Sequence, residues 1–397
     1  MARRPRDRRQ QIVTAASELF RDRGYHNVSV ADVASEVGIT ASALYRHFRS
    51  KNDLLESTVR MGLDSLEQTV ASAGDIDALI SEMSESVSAR RGLATLWQRE
   101  ARHLNAVQRQ EFRHQLNTIT AQVADLIRTN RPELTEPDGE LLAFSVLAVF
   151  GSVAGHKIAL PRRRLEATLA RLAEHVARCP LGVTQPSRSV ANAGVTVHAS
   201  RREQLLREAT RLFDERGFQS VNIEDIGEAA GTTGPNVYNH FEAKNDLLVT
   251  AVTRGLDRRD TDARAALDRA AGHREALDLL LESQITFALE DGHRIGLMTS
   301  ELDQLPEGVR RTCAQRDRDY LDLWVGVLAG LRPDIDGAEA KIAVSAALNV
   351  IANAARTGRL RRRADLSDRL AEIGTALLTV SDRARTVGAA EPSVAPH

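Results

Sequence analysis

The chain has only two cysteines in 397 residues, Cys179 and Cys313, far apart and in no metal-like spacing. That excludes a disulfide-stapled scaffold and a cysteine metal centre, and both read as free thiols. Aromatic residues make up just 4% of the chain, while the apolar and charged fractions are ordinary for a globular protein. No apolar run approaches the ~20 residues that cross a bilayer. The charged start MARRPRDRRQ is no signal core. These absences point to a cytoplasmic protein without a membrane partner. No phosphate-cradling glycine loop, paired Cys or His at metal spacing, or nucleophile motif is present. An enzyme, a metal and a cofactor are therefore not expected.

Net charge is −1, which by itself argues against a strongly basic nucleic-acid binder. The distribution says something different. Arg3, Arg4, Arg6, Arg8 and Arg9 stand against Asp7 alone in the first ten residues. Such an arm beside a helix suits a phosphate backbone; the plainer alternative is a solvated tail.

What the chain does have is a repeat. RRQQIVTAASELFRDRGYHNVSVADVASEVGITASALYRHFRSKNDLL lies over RREQLLREATRLFDERGFQSVNIEDIGEAAGTTGPNVYNHFEAKNDLL without a gap, with roughly 20 of 50 positions identical. The likeness continues more weakly. EARHLNAVQRQ at 100–110 matches ELDQLPEGVRR at 301–311, and the stretch 131–159 matches 332–360. A period of about two hundred residues is too long for a solenoid, so this is a duplicated unit. Between the copies, PLGVTQPSRSVANAGVTVHAS is rich in Pro, Gly, Ser and small residues and reads as a linker.

Both copies read as helix throughout. Ile12, Ala16, Leu19 and Phe20 share one face, and Gly24 is the stop. Ser29 with Asp32 opens a short helix, Gly38 makes a tight turn, and Thr40 caps a second short helix, ASALYRHF. Ser50 with Asp53 opens the next. The second copy repeats the plan with Leu205, Leu212, Phe213, Gly217, Asn222, Asp225 and Gly231, and places Pro235 in a first helical turn. Helix, short helix, glycine turn and short helix make a helix-turn-helix, whose second short helix enters the major groove.

These two stretches resemble the DNA-binding head of the TetR family of bacterial one-component regulators. The resemblance rests on LF..RGY..VSVADVASEVGITASALYRHFRSKNDLL and LF.ERGF..VNIEDIGEAAGTTGPNVYNHFEAKNDLL. It implies an all-α protein of two tandem units, each a helix-turn-helix head on a helical-bundle regulatory domain. The divisions are 1–57 and 58–180 for the first unit, 181–199 for the linker, 200–250 and 251–384 for the second, and 385–397 for a tail. It further implies a ligand-responsive regulator, more often a repressor, in which a small molecule in the body releases double-stranded DNA.

Base readout falls to the exposed start of each recognition helix. In copy one these residues are Thr40, Ala41, Ser42 and Arg46; an arginine suits a bidentate contact with guanine. In copy two they are Thr233, Gly234, Pro235, Asn236 and Asn239, and asparagine favours adenine. Two unlike readers suggest an operator with unlike halves. Tyr45, Tyr238, Lys51 and Lys244 look like the family's phosphate contacts, joined by Arg4, Arg6 and Arg202. Either tyrosine could instead pack between helices. Against symmetry, Lys/Arg over Asp/Glu leaves about +3 across 1–57 and about −3 across 198–250, which bears directly on phosphate binding.

The resemblance places a ligand cavity after each head. Candidate lining residues are Leu93, Leu96, Trp97 and Phe150 in the first copy, and Phe287, Leu297, Met298, Tyr320 and Trp324 in the second. Plain core is the competing reading for each. Sparse polar side chains among them suit a lipophilic or acyl-type effector. Pairing should use 138–159 and 161–178 with 337–357 and 365–381. A linker of ~20 residues averages ~25 Å as a coil, enough for pairing within one chain. The alternatives are a homodimer of chains and a ligand-binding or interaction protein whose second head no longer reads DNA.

Overall fold

The computed structural model describes residues 5–86, 96, 100–154, 158, 160–182 and 200–380. Arg4, Leu93, Trp97, nearly all of the expected linker and the expected tail lie outside these residues, as does the side chain of Arg6.

All regular structure among the described residues is helical. The first half comprises α1 (Pro5–Arg23), α2 (Val30–Glu36), α3 (Ala41–Leu44), α4 (Lys51–Ser72), α5 (Ile76–Glu85), α6 (Ala106–Asn130), α7 (Glu136–Gly151) and α8 (Arg162–Ala177). The second comprises α9 (Arg201–Arg216), α10 (Ile223–Ala229), α11 (Gly234–Val237), α12 (Lys244–Arg269) and α13 (His273–Glu290). It continues with α14 (Gly292–Ser300), α15 (Glu307–Leu331), α16 (Gly337–Arg356), α17 (Gly358–Arg361) and α18 (Leu366–Leu378). The protein is thus all-α, in two tandem units of a head and a helical body.

Local chemistry explains the boundaries. Ser29 Oγ accepts from Asp32 N at 3.1 Å while Asp32 Oδ2 accepts from Ser29 N at 2.7 Å, closing a capping box on α2. Asn222 and Asp225 do the same for α10 at 2.7 and 2.8 Å. Gly24, Gly38, Gly217 and Gly231 all have φ between 66° and 84°. A side chain at these positions would strain the turn.

Each head has its own core. Ile12, Phe20, Leu44, Phe48, Leu54 and Val59 form one; Leu205, Phe213, Val237, Phe241, Leu247 and Val252 form the other. The bodies do not. A single apolar cluster runs from Leu79, Val123, Leu142 and Val146 of the first half into Ile342, Val344, Ile351 and Ile373 of the second. It is built where α7 and α8 pack on α16 and α18. Polar contacts fix the register of this junction. Asn349 Nδ2 donates to Ala148 O at 2.8 Å, Arg164 meets Glu339 at 2.9 Å, and Arg363 meets Asp138 at 2.7 Å. Cys179 and Cys313 are free and buried, and burial pushes the Cys179 thiol up to about 11.

Candidate nucleic-acid interface

α3 is shorter than its sequence suggests. The α-helical turn covers only Ala41–Leu44, and Arg46 and His47 close i→i+3 bonds onto Ala43 and Leu44. α11 ends at Val237 in the same way, with Asn239 and His240 bonding back to Asn236 and Val237. Arg46 and Asn239 therefore stand on a tightened turn just beyond the helix, and both are exposed. Thr40 Oγ1 caps α3 by accepting from Ala43 N at 3.2 Å, whereas Thr233 makes no such bond.

The exposed faces match expectation in part. Thr40 and Ser42 are exposed and Ala41 is half-buried; Thr233, Pro235 and Asn236 are exposed. Tyr45 and Tyr238 are 53% and 55% exposed, so neither ring packs between helices. Gly234 must be corrected. It is buried, and a Cβ there would meet Glu224 Oε1 at 3.2 Å. Its partner is Gly227, whose own Cβ would lie 2.8 Å from Gly234 N. Ala34 and Ala41 occupy these places in the first head. Two glycines bring α11 closer to α10 than two alanines would allow, a difference the sequence pattern does not announce.

The lysines make contacts within the head that their sequence neighbours do not suggest. Lys51 Nζ stands 4.2 Å above the Tyr25 ring and 3.5 Å from His26 O. Lys244 Nζ donates to Phe218 O and Val221 O, each at 2.8 Å, over the Phe218 ring. Burial lowers the pKa of both. They clamp the loop after the first helix to the start of the fourth, and turn toward carbonyls the donors expected to meet phosphate. The arm's arginines are drawn in similarly. Arg8 donates to Val37 O at 3.2 Å and Arg201 to Ala230 O at 2.8 Å, each satisfying the end of the second helix. Arg9 lies over Phe48 and Arg202 over Phe241, at 4.8 and 4.4 Å.

Electrostatics separates the two faces. Exposed Arg49 has exposed Glu242 at the matching place, and Ala31 and Ser35 become Glu224 and Glu228. Arg46 likewise becomes the neutral Asn239.

Head and body meet at a pair of buried glutamates, also unforeseen. Glu301, 1% exposed, accepts from Phe218 N at 2.9 Å. Glu100, at the matching place, is 4% exposed beside His103, whose ring stacks on Tyr25 at 5.2 Å. A Cβ on Gly24 would also lie 3.6 Å from Asp303 Oδ2, so the first head touches the second half.

Among the expected cavity residues, Leu96 belongs to the core of the first head, not to a body cavity. Phe150 lies in the cluster shared by both halves, and Phe287, Tyr320 and Trp324 are buried on the second side of it. Leu297 joins the second head's core, and half-buried Met298 packs between that core and the body.

A glycine-turned pair of short helices, set twice on a helical body, defines a tandem helix-turn-helix protein. The sequence pattern described as bacterial regulatory proteins, tetR family, matches at residues 12–58 and again at 205–251. The chain thus carries this family's pattern twice, once in each head. It is 33% identical over 119 residues to the HTH-type transcriptional repressor KstR2 of Rhodococcus jostii, covering 28% of this chain and 58% of that protein. It is 42% identical over 72 residues to the HTH-type transcriptional activator FasR of Mycolicibacterium smegmatis, covering 18% of this chain and 33% of that one. The chain thus spans under two thirds of either relative. The solved ketosteroid transcriptional regulator KstR2 of Mycobacterium tuberculosis aligns over 45% of this chain and 93% of its own, at 22% identity and a TM-score of 0.41. No described helix is long and apolar enough to cross a membrane.

Proposed function

We propose that this protein is a DNA-binding transcriptional regulator whose two heads pair within one polypeptide and read unlike half-sites, under the control of a small molecule. The observation that carries this reading is the pair of exposed surfaces on one scaffold. Thr40, Ser42, Tyr45 and Arg46 stand where Thr233, Pro235, Tyr238 and Asn239 stand in the other copy, and exposed Asn236 takes the place of Ala43. Arg46 suits guanine and the two asparagines suit adenine. The packing of α7 and α8 on α16 and α18 supports pairing inside the chain. Repression by blocking a promoter fits the KstR2 relative, whereas FasR is named an activator; the sign of control follows operator position. A lipophilic or acyl-type effector is the class the apolar bodies favour.

A second reading has its own observation. Glu242 in place of Arg49, with Glu224 and Glu228 nearby, makes the second face repel phosphate. In that reading the first heads of two chains bind DNA and the second head is structural.

Selection of binding sites from a random DNA pool by the full chain tests both. A motif with two different halves about one helical turn apart supports the single-chain reader. A palindrome supports two chains reading through first heads. No enrichment at low salt sinks the regulator.

A further inference from the structure

The two recognition surfaces differ in more than the residue that ends them. Where the second head has Thr232, Asn236 and Asn239, the first has Ile39, Ala43 and Arg46. The side chains of Ile39 and Ala43 carry no hydrogen-bonding group, so neither can hold Arg46 by one. A guanidinium does not need it, because all its edges donate and guanine offers two acceptors, O6 and N7. An amide has two unlike ends. Its oxygen accepts, its nitrogen donates, and a half-turn about the last bond exchanges them. Adenine offers one donor, at N6, and one acceptor, at N7, so a single orientation of the amide fits.

The second head supplies a relay that fixes it. Asn239 Nδ2 donates to Asn236 Oδ1 at 3.4 Å, and Asn236 Nδ2 donates to Thr232 Oγ1 at 3.0 Å. The tightened turn beyond α11 repeats the first link in the backbone, where Asn239 N donates to Asn236 O at 3.3 Å. Thr232 is half-buried, and its own N–H donates to Gly227 O at 2.8 Å, which anchors the relay on α10. Both asparagines are exposed. Asn239 has one N–H committed and keeps Oδ1 and the other N–H, the pair that adenine matches. Asn236 has Oδ1 and one N–H committed and keeps a single donor, too little for a bidentate contact.

We propose that Asn239 alone reads adenine in the second head, and that Asn236 and Thr232 are positioning residues that hold its amide the right way round. This rests on the reading of the second head as a DNA-binding surface and narrows it, since only one of the two exposed asparagines specifies a base. The direction of the relay decides which base. Run backwards, from the Thr232 O–H through Asn236 to Asn239 Oδ1, it would leave Asn239 two free donors, a match for guanine. Run as it stands, it leaves one donor and one acceptor. Holding the side chain in advance also spares part of the ordering cost of binding, worth roughly two- to ten-fold.

Fluorescence anisotropy tests this, with the full chain on the duplex it enriches from a random pool and on that duplex with each base pair of the second half-site changed in turn. Asn239→Ala marks the position read, where discrimination for adenine should fall about ten-fold or more. At that position alone, Thr232→Val and Asn236→Ala should each cut discrimination roughly two- to ten-fold. Thr232→Ser keeps the hydroxyl and should restore the wild-type preference. Adding Thr232→Val to Asn239→Ala should cost nothing further there, because the residues act as one unit. A merely destabilised head would lose affinity on every duplex alike and leave discrimination unmoved, which would overturn the assignment. So would guanine at that position, or a second position flattened by Asn236→Ala alone. A palindrome, or no enrichment, overturns the two-headed reading and this assignment together. An asymmetric operator with unmoved discrimination removes the positioning residues and leaves the regulator standing.

Discussion

Arg356, near the end of α16, meets Asp214 of α9 at 2.6 Å, joining the second head to the helix that pairs the two halves. His293 of α14 reaches the same carboxylate at 2.9 Å, and the Asp214 side chain is only 10% exposed. The matching residue of the first head is Arg21, which pairs with its neighbour Asp22. The second head is thus latched to its body through Asp214, where the first head carries an arginine. Removing one partner of a mostly buried ion pair strands the other. Asp214→Ala should cost about 2 kcal/mol and speed amide exchange across 201–216, with little change across α1. Equal acceleration in both heads would contradict the latch.

Gly227→Ala places a Cβ 2.8 Å from the backbone of Gly234 and must push α11 off α10. A cost of about 1–3 kcal/mol is expected in urea unfolding. Binding to the second half-site should fall more than binding to the first. An unchanged unfolding midpoint would show that the close approach is slack.

Arg46→Ala and Asn239→Ala should each relax specificity in one half-site only. A good bidentate base contact is worth about 1–3 kcal/mol, so each half-site should lose roughly ten-fold or more. Site selection repeated with each variant reads this directly. If Asn239→Ala leaves the recovered motif intact, the second head is structural.

Lys51→Met keeps the side-chain stem and removes the ammonium that faces Tyr25 and His26. The melting temperature should drop. The slope of log affinity against log salt should stay within a few tenths, because every phosphate that a cation neutralises adds about 0.9 to it. A change of that size would restore Lys51 to the DNA face.

Asp365 binds Arg363 at 2.9 Å and Arg369 at 3.0 Å, and the Arg363 hydrogen bond leads in holding its pKa down to about 2. Its folded value lies below the ordinary 3.8. The stabilisation is therefore present above about pH 4 and is lost as pH falls toward 2, a loss of about 2 kcal/mol. Denaturant unfolding at pH 6 and pH 3 should show it, and Asp365→Asn should flatten part of the difference.

The heads are legible in the sequence because their signals are local. Ser29, Asp32, Gly38, Asn222, Asp225 and Gly231 act within four residues, and the structure uses each as a cap or turn. The duplication and the all-α architecture follow from the same stretch. What stays hidden depends on distance along the chain. Nothing near Lys244 says that its ammonium turns back to Phe218 and Val221, and nothing near Asp214 announces Arg356. Gly234 reads as exposed because its neighbours Thr233 and Pro235 are, yet Glu224 covers it. Leu96 reads as body and packs in a head, since helix periodicity gives a face without naming its partner.

The core that runs unbroken from α7 into α16 sets a timetable for synthesis. α7 leaves the ribosome about two hundred residues before α16, which at 5–20 residues per second is roughly 10–40 s. For that interval the side of α7 that packs on α16 lacks its partner, although α6 and α8 already cover the rest. The nascent first half is therefore an unfinished object, exposed to aggregation or to a neighbouring ribosome's copy. Fusing the halves shortens the search for a partner but obliges the first one to wait for it.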